Sequence, residues 1–220
     1  MEKVFCINRK NLESVMGSPL PQGTFSKPDI ETVMCLGHEF IPKQTAENDD
    51  SQKQIIPYQL FSFENKFFVY KRGKKIGESR LAERYSIGIG GHINSDDFNG
   101  IIYDKDTNNQ NFIDFYKKAL LREREEELHN LPAGKECFLG WINDDTEPVG
   151  RVHLGAIHLT VFDNSEEIKI KEKESLHFVG WWDIGKILEN SSNFETWSVL
   201  SAKHLAWLNT QEYLPFNLNP

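Results

Sequence analysis

The stretch ALLREREEELHNL, residues 119–131, crowds arginine and glutamate into six consecutive positions, Arg122 to Glu127. An ordinary surface helix needs less charge than this, so the direction of each side chain matters. Turning about 100° per residue from Asp114 as N-cap, the helix puts Phe115, Tyr116, Ala119 and Leu120 on one arc. Glu123, Glu126 and Glu127 continue that arc. Lys117, Lys118, Leu121, Arg124, Glu125 and Leu128 take the opposite side.

Three carboxylates at i, i+3 and i+4 on an inward face repel one another, and each is costly to desolvate unless paired or bound to a cation. Hard oxygen ligands in such a cluster suit Mg²⁺ or Mn²⁺. Arg122, at the edge of the arc, is placed to orient one of them. A Glu-rich helix end is also what i,i+4 pairing with lysines produces on a solvated face. The residues alone leave both readings open.

Working outward, aromatic and β-branched runs flank the helix. IIPYQLFSF (55–63), KFFVYK (66–71) and YSIGIGG (85–91) read as strands broken by turns at Glu64-Asn65 and Arg72-Gly73-Lys74. HINSDDFNGIIYDKDTNNQN (92–111) is a loop by composition. After the helix, KECFLGWIND and RVHLGAIHLTVF read as strands, DNSEEIKIKEKES as a charged loop, SLHFVGWW as a strand and DIGKILE as a short helix. NFETWSVLSAKHLAWL is an amphipathic helix that closes on the core. Residues 1–54 form an N-terminal extension with a strand at Val4–Ile7, a Pro/Gly/Ser-rich loop, a helix from Asp29 to about Cys35 and a polar run, KQTAENDDSQKQ. Residues 55–220 form the main domain.

The bulk numbers narrow the function. A chain of 220 residues is long enough for one well-buried core. Its net charge of −8 argues against broad binding to nucleic acid or an anionic membrane. The three cysteines are far apart and in no C-x-x-C spacing, which indicates neither a disulfide framework nor a zinc site. No basic leader or apolar span is present in the sequence, and the expected location is the reducing cytoplasm.

The helix now resembles a known signature, the Nudix box: Gly, five residues, Glu, seven residues, then Arg-Glu-aliphatic-x-Glu-Glu-x-Gly-aliphatic. Arg122-Glu123-Arg124-Glu125-Glu126-Glu127 fits its Arg-Glu-x-x-Glu-Glu core, Asp114 stands at the upstream Glu position, and Gly91 in SIGIGGHIN matches the first Gly. About seventeen extra residues separate Gly91 from Asp114, Arg124 replaces an aliphatic, and His129-Asn130 replaces Gly-aliphatic. Asn130 can still adopt a left-handed helix stop. KQIIPYQLFSFENKFFVYKRGKK, GWINDDTEPVGRVHLGAIHLTVF and FETWSVL are similar to a little-characterised branch described as predicted Nudix phosphoesterases. The resemblance covers roughly residues 50–205.

The resemblance implies an α/β fold, the Nudix α/β/α sandwich with a mixed sheet, and a metal-dependent hydrolase cleaving a phosphoanhydride bond in a small-molecule nucleoside diphosphate derivative. It implies Glu123, Glu126 and Glu127 as ligands of Mg²⁺ or Mn²⁺, with Arg122 holding a glutamate and one carboxylate activating water. Gly91, His92 and Arg151 are candidates for substrate binding, and a homodimer is compatible with the family. Asp144, Asp145 and Glu147 form either a further ligand set or a solvated turn, and Glu172 and Glu174 lie where some relatives keep a base. His153 joins Arg151 at the start of a strand, while Trp181, Trp182 and Trp197 read as core. The basic turn of Lys71, Arg72, Lys74 and Lys75 reads as solvated. Two rivals remain: a non-catalytic nucleotide-binding Nudix module, and an isomerase similar to isopentenyl diphosphate isomerase, which would want a cysteine beside Gly90-Gly91-His92.

Overall fold

The aromatic runs become strands and the amphipathic runs become helices. The computed structural model describes residues 2–73, 83–98, 108–129, 131–164, 168–171 and 176–211. In chain order the elements begin with β1 (Lys3–Asn8), α1 (Arg9–Met16), β2 (Gly23–Phe25), α2 (Ile30–Met34), β3 (His38–Pro42) and α3 (Lys43–Ala46). Then follow β4 (Gln52–Phe63), β5 (Lys66–Arg72), β6 (Tyr85–Ser86) and β7 (Gly88–Gly90). After a 3₁₀ turn at Ser95–Phe98 come α4 (Asn108–Glu127), β8 (Leu128–His129), β9 (Gly134–Asn143), α5 (Pro148–Arg151) and β10 (His153–Phe162). The chain continues with β11 (Lys169–Ile170), β12 (Leu176–Trp182), α6 (Ile184–Glu189) and α7 (Thr196–Thr210). The class is α/β with a large mixed sheet, as expected.

The chain divides into two compact units, the first comprising Met1–Tyr58, Gly90–Glu123 and Phe138–Ile157. Here β1 pairs antiparallel with β3 and with the start of β4, and β2 pairs with β9. Phe5, Ile7, Ile93, Phe115, Tyr116, Ala119, Leu120, Trp141 and Leu154 are buried in one cluster. Each large apolar side chain so enclosed contributes roughly 1.5–3 kcal/mol. That cluster anchors the apolar arc of α4.

The second unit comprises Gln59–Ile89, Arg124–Cys137 and His158–Pro220. Glu64 and Asn65 both take positive φ, 46° and 59°, which closes the hairpin from β4 to β5. β12 pairs with β5, and a register shift between Phe178 and Gly180 interrupts the ladder. Phe61, Phe68, Tyr70, Leu128, Phe162 and Leu176 share its core. Glu195, preceding α7, accepts hydrogen bonds from Arg72 at 3.0 Å and from the Ser86 hydroxyl at 2.6 Å. Lys71 pairs with Glu83, so two side chains of the basic turn are paired rather than simply solvated.

Several expectations are corrected. α4 begins at Asn108, not at 115, so Asp114 is an exposed residue within the helix and not its N-cap. Asn-rich composition predicts a loop up to residue 111, whereas the apolar positions Ile113, Phe115 and Tyr116 bury against the core and extend the helix upstream. Leu128 is buried, because the helix ends at Glu127 and Leu128 pairs with Ile170 in a short ribbon. A helical wheel cannot place a residue that has left the helix. Arg124 is half-buried rather than facing solvent. The strand expected from Arg151 starts at His153, after the helical turn α5, which Pro148 opens. Trp181, Trp182 and Trp197 are half-buried. Lys74, Lys75, Asn130, Glu172 and Glu174 lie outside the described residues.

Candidate active site

Gly91, directly after β7, meets α4 without an intervening side chain. A Cβ at residue 91 would overlap the Glu123 carboxylate. Only glycine permits this approach, and space rather than backbone conformation is the reason. Gly91 therefore acts as the floor on which the Glu123 carboxylate rests.

Arg122 fixes the same region from the other side. Its guanidinium donates to Asp97 Oδ1 at 2.7 Å and Oδ2 at 2.9 Å, a bidentate pair with a carboxylate that is nearly inaccessible to solvent. A further Nη2 bond at 2.8 Å reaches the His92 carbonyl, and Nη1 donates to Glu123 Oε1 at 2.8 Å. Hydrogen bonding to Asp97 raises the Arg122 pKa further above its ordinary value, despite partial burial. The guanidinium thus ties the 3₁₀ turn, the segment after β7 and the Glu123 side chain into one arrangement. Asp97 closes it by accepting the Asn94 backbone N–H at 2.8 Å.

In the second unit, Glu126 is exposed rather than on the inward arc that the periodicity predicts, because the last turn of a helix lies beyond the core that buries its earlier turns. Glu127 is half-buried with its Oε2 enclosed. The Glu127 carbonyl accepts the Lys171 N–H at 2.9 Å, which holds the last turn of α4. Arg124 lies 3.7 Å from Glu136, and Glu136 also stands 3.5 Å from His158 Nδ1. Glu123, Glu126 and Glu127 follow one another at i, i+3 and i+4 on a continuous helix. Carboxylates with that spacing suit a hard divalent cation, and the enclosed Glu127 oxygen is a ligand type that Mg²⁺ or Mn²⁺ accepts.

His92 brings a second group together in the first unit. Its Nε2 stands 3.3 Å from His153 Nε2 and 3.8 Å from Glu47 Oε1, and the same Glu47 oxygen lies 3.6 Å from His153 Nε2. His153 Nδ1 is 2.7 Å from the Val149 carbonyl, which makes Nδ1 the protonated nitrogen and leaves the Nε2 lone pair facing the group. Burial depresses the His153 pKa to about 4. The hydrogen bond from His92 holds the Glu47 carboxyl below its usual range.

Lys53 supports the loop that leads to His153. Its fully buried ammonium donates to Asn143 Oδ1, Asp145 Oδ1 and the Gly150 carbonyl, each at 2.7 Å, and lies 3.1 Å from the His153 carbonyl. Burial lowers the Lys53 pKa to about 8. Burial also opposes ionisation of Asp145, yet hydrogen bonds from Arg9, Lys53 and Gln22 outweigh it and hold the carboxyl far below its usual range. Asp145 is thus an ion-pair anchor, while Asp144 accepts from Thr146. Arg151 is exposed, with Nε donating to the Asp145 carbonyl at 3.3 Å.

The structure brings Gly91, His92, Arg122 and Glu123 together, and it adds Asp97 and Glu47. Neither addition has a signal in the sequence: Asp97 lies in a stretch that is loop by composition, and Glu47 in a polar run without a motif. Among the described residues, no helix is long and apolar enough to cross a membrane.

No family model matches the chain. Over 185 residues it is 33% identical to Protein YmaB of Bacillus subtilis (strain 168), which covers 80% of this chain and 84% of that protein. Among solved structures it is similar to Tm1382, assigned as a Nudix hydrolase, with a TM-score of 0.73 and 26% identity over 94% of this chain and 100% of that one. The match extends along the whole length of that solved structure, and the chain belongs to the Nudix hydrolase superfamily.

Proposed function

We propose that this protein hydrolyses a phosphoanhydride bond in a nucleoside diphosphate-linked small molecule, with Mg²⁺ or Mn²⁺ held by Glu123, Glu126 and Glu127. The observation that carries the reading is the seat of Glu123, set on Gly91 and held by Arg122, which is itself clamped by Asp97. A carboxylate that only solvated a helix end would have no need of a glycine floor and a bidentate arginine.

A divalent cation bound there would polarise a phosphoryl oxygen and acidify a water. The chain's own residues would orient and deprotonate. Arg122 fixes the Glu123 oxygens, so little reorganisation is needed when charge develops. Glu126 is exposed, a position that suits a metal ligand or a general base. Gly91, His92 and Arg151 are the candidates for contact with the substrate.

The cysteine chemistry of the isomerase reading finds no support. Burial pushes the Cys6 thiol up to about 12 and Cys137 to about 11, and Cys35 is also raised. These three thiols stay protonated at neutral pH and are poor nucleophiles.

The test is a screen of nucleoside diphosphate derivatives with Mg²⁺ and with Mn²⁺, run on the wild type and on Glu126→Gln. The expected result is turnover of one compound class and a fall in kcat of roughly 10²-fold or more in the variant. Equal turnover by the variant removes the reaction from this helix. Binding of nucleotides without any turnover favours the non-catalytic module.

A further inference from the structure

We propose that Glu47, His92 and His153 form a binding site for a first-row transition-metal ion, Zn²⁺ foremost, built from residues other than the carboxylates of α4. The inference rests on the geometry of three donor atoms within the first unit and is independent of the hydrolase reading.

The atoms are His92 Nε2, His153 Nε2 and Glu47 Oε1, and they form a triangle with sides of 3.3, 3.6 and 3.8 Å. The centre of that triangle lies about 2.1 Å from each atom, and a point slightly off its plane a little farther, within the range for Zn²⁺ bonded to imidazole nitrogen and carboxylate oxygen. Adjacent ligands of a tetrahedral Zn²⁺ are separated by about 3.3–3.4 Å at such bond lengths. Ca²⁺ needs longer bonds and more oxygens, and Mg²⁺ prefers an all-oxygen shell. Two imidazoles and one carboxylate suit Zn²⁺, Co²⁺ or Fe²⁺ instead.

The His153 ring is oriented by a contact of its own, and the backbone of all three donors is held. The His153 ring is fixed by its Nδ1 bond to the Val149 carbonyl, the kind of support that metal-bound histidines characteristically have. Its backbone is held by buried Lys53. The His92 carbonyl accepts from Arg122, and its ring packs edge-on against His153 with centroids 5.4 Å apart. Glu47 follows α3, its N–H donating to the Lys43 carbonyl at 2.9 Å. Without a cation, two Nε2 atoms at 3.3 Å must share a proton to avoid opposed lone pairs.

Access is graded. The His153 side chain is 8% exposed, that of His92 19% and that of Glu47 34%, so the group opens toward solvent on the Glu47 side. Three protein ligands with an open face leave a fourth position for water or a substrate atom, which is the plan of reactive rather than purely structural zinc sites.

The test uses the full-length protein stripped with chelator and held in excess Mg²⁺, then titrated with Co²⁺ and, separately, Zn²⁺. The expected result is one equivalent of Co²⁺ with the intense visible absorption of a four- or five-coordinate ion, displaced by Zn²⁺. His92→Asn and Glu47→Gln, both at sites partly open to solvent, should each weaken Zn²⁺ binding by about 100-fold or more, while circular dichroism stays unchanged. Glu126→Gln should leave Zn²⁺ stoichiometry and affinity as in the wild type. A faint six-coordinate Co²⁺ spectrum, an absence of Zn²⁺ binding, or binding that survives both ligand variants but fails in Glu126→Gln would overturn the proposal. The trio would then be a hydrogen-bonded group, and the hydrolase reading would stand or fall on its own screen.

Discussion

At the scale of single residues, Gly91 is the glycine whose bareness bears on the Glu123 carboxylate. Its missing Cβ is what lets the Glu123 carboxylate sit where Arg122 can hold it. Gly91→Ala displaces only the end of a flexible side chain, so the fold should survive with a small change in Tm. The geometry at Glu123 should not, and a shift near 1 Å at a reacting group costs roughly 10²-fold in rate. Once a substrate is found, kcat/KM and Tm measured together provide the check. A variant that keeps full activity would show that the seat of Glu123 has no catalytic purpose.

At the scale of elements, buried Lys53 on β4 stitches the segment from Asn143 to His153 to the sheet. Lys53→Met leaves three buried acceptors without their donor and removes one of the two cations beside Asp145. Breaking a buried ion pair from one side costs about 3–5 kcal/mol, but Asp145 is partly exposed and keeps Arg9. A loss of about 2–3 kcal/mol is therefore expected in urea unfolding. A loss below about 1 kcal/mol would mean that the ammonium contributes little beyond filling space.

At the scale of the whole molecule, stability should decline on the acid side in two windows. His153 has a folded pKa of about 4 against about 6.5 in an unfolded chain, so protons bind the unfolded state preferentially between these values. In metal-free protein its contribution is complete above about pH 6.5 and lost as pH falls to about 4, by an amount on the order of 3 kcal/mol. Asp145 works at lower pH: its depressed pKa adds stability above the ordinary carboxylate value, which is lost as pH falls through the folded one. Urea midpoints taken from pH 7.5 downward should fall through both windows. A flat profile between pH 7 and pH 4.5 would contradict the buried neutral imidazole.

Much of this protein is legible in its sequence because the evidence is local. Periodicity puts Phe115, Tyr116, Ala119 and Leu120 on the buried face of α4, since side-chain direction on a helix follows from the backbone alone. The order of Gly91, Arg122 and the glutamates was enough to recognise the superfamily. What tertiary structure decided was every contact between segments distant in the chain. Asp97 became the partner of Arg122, Lys53 the hub for Asp145, and Glu47 and His153 the neighbours of His92. Pairings of that kind depend on which strands and turns come to lie side by side, and no local period encodes them. The same reason explains the errors at the ends of α4, where core contacts and strand pairing prevailed over the composition of the neighbouring residues.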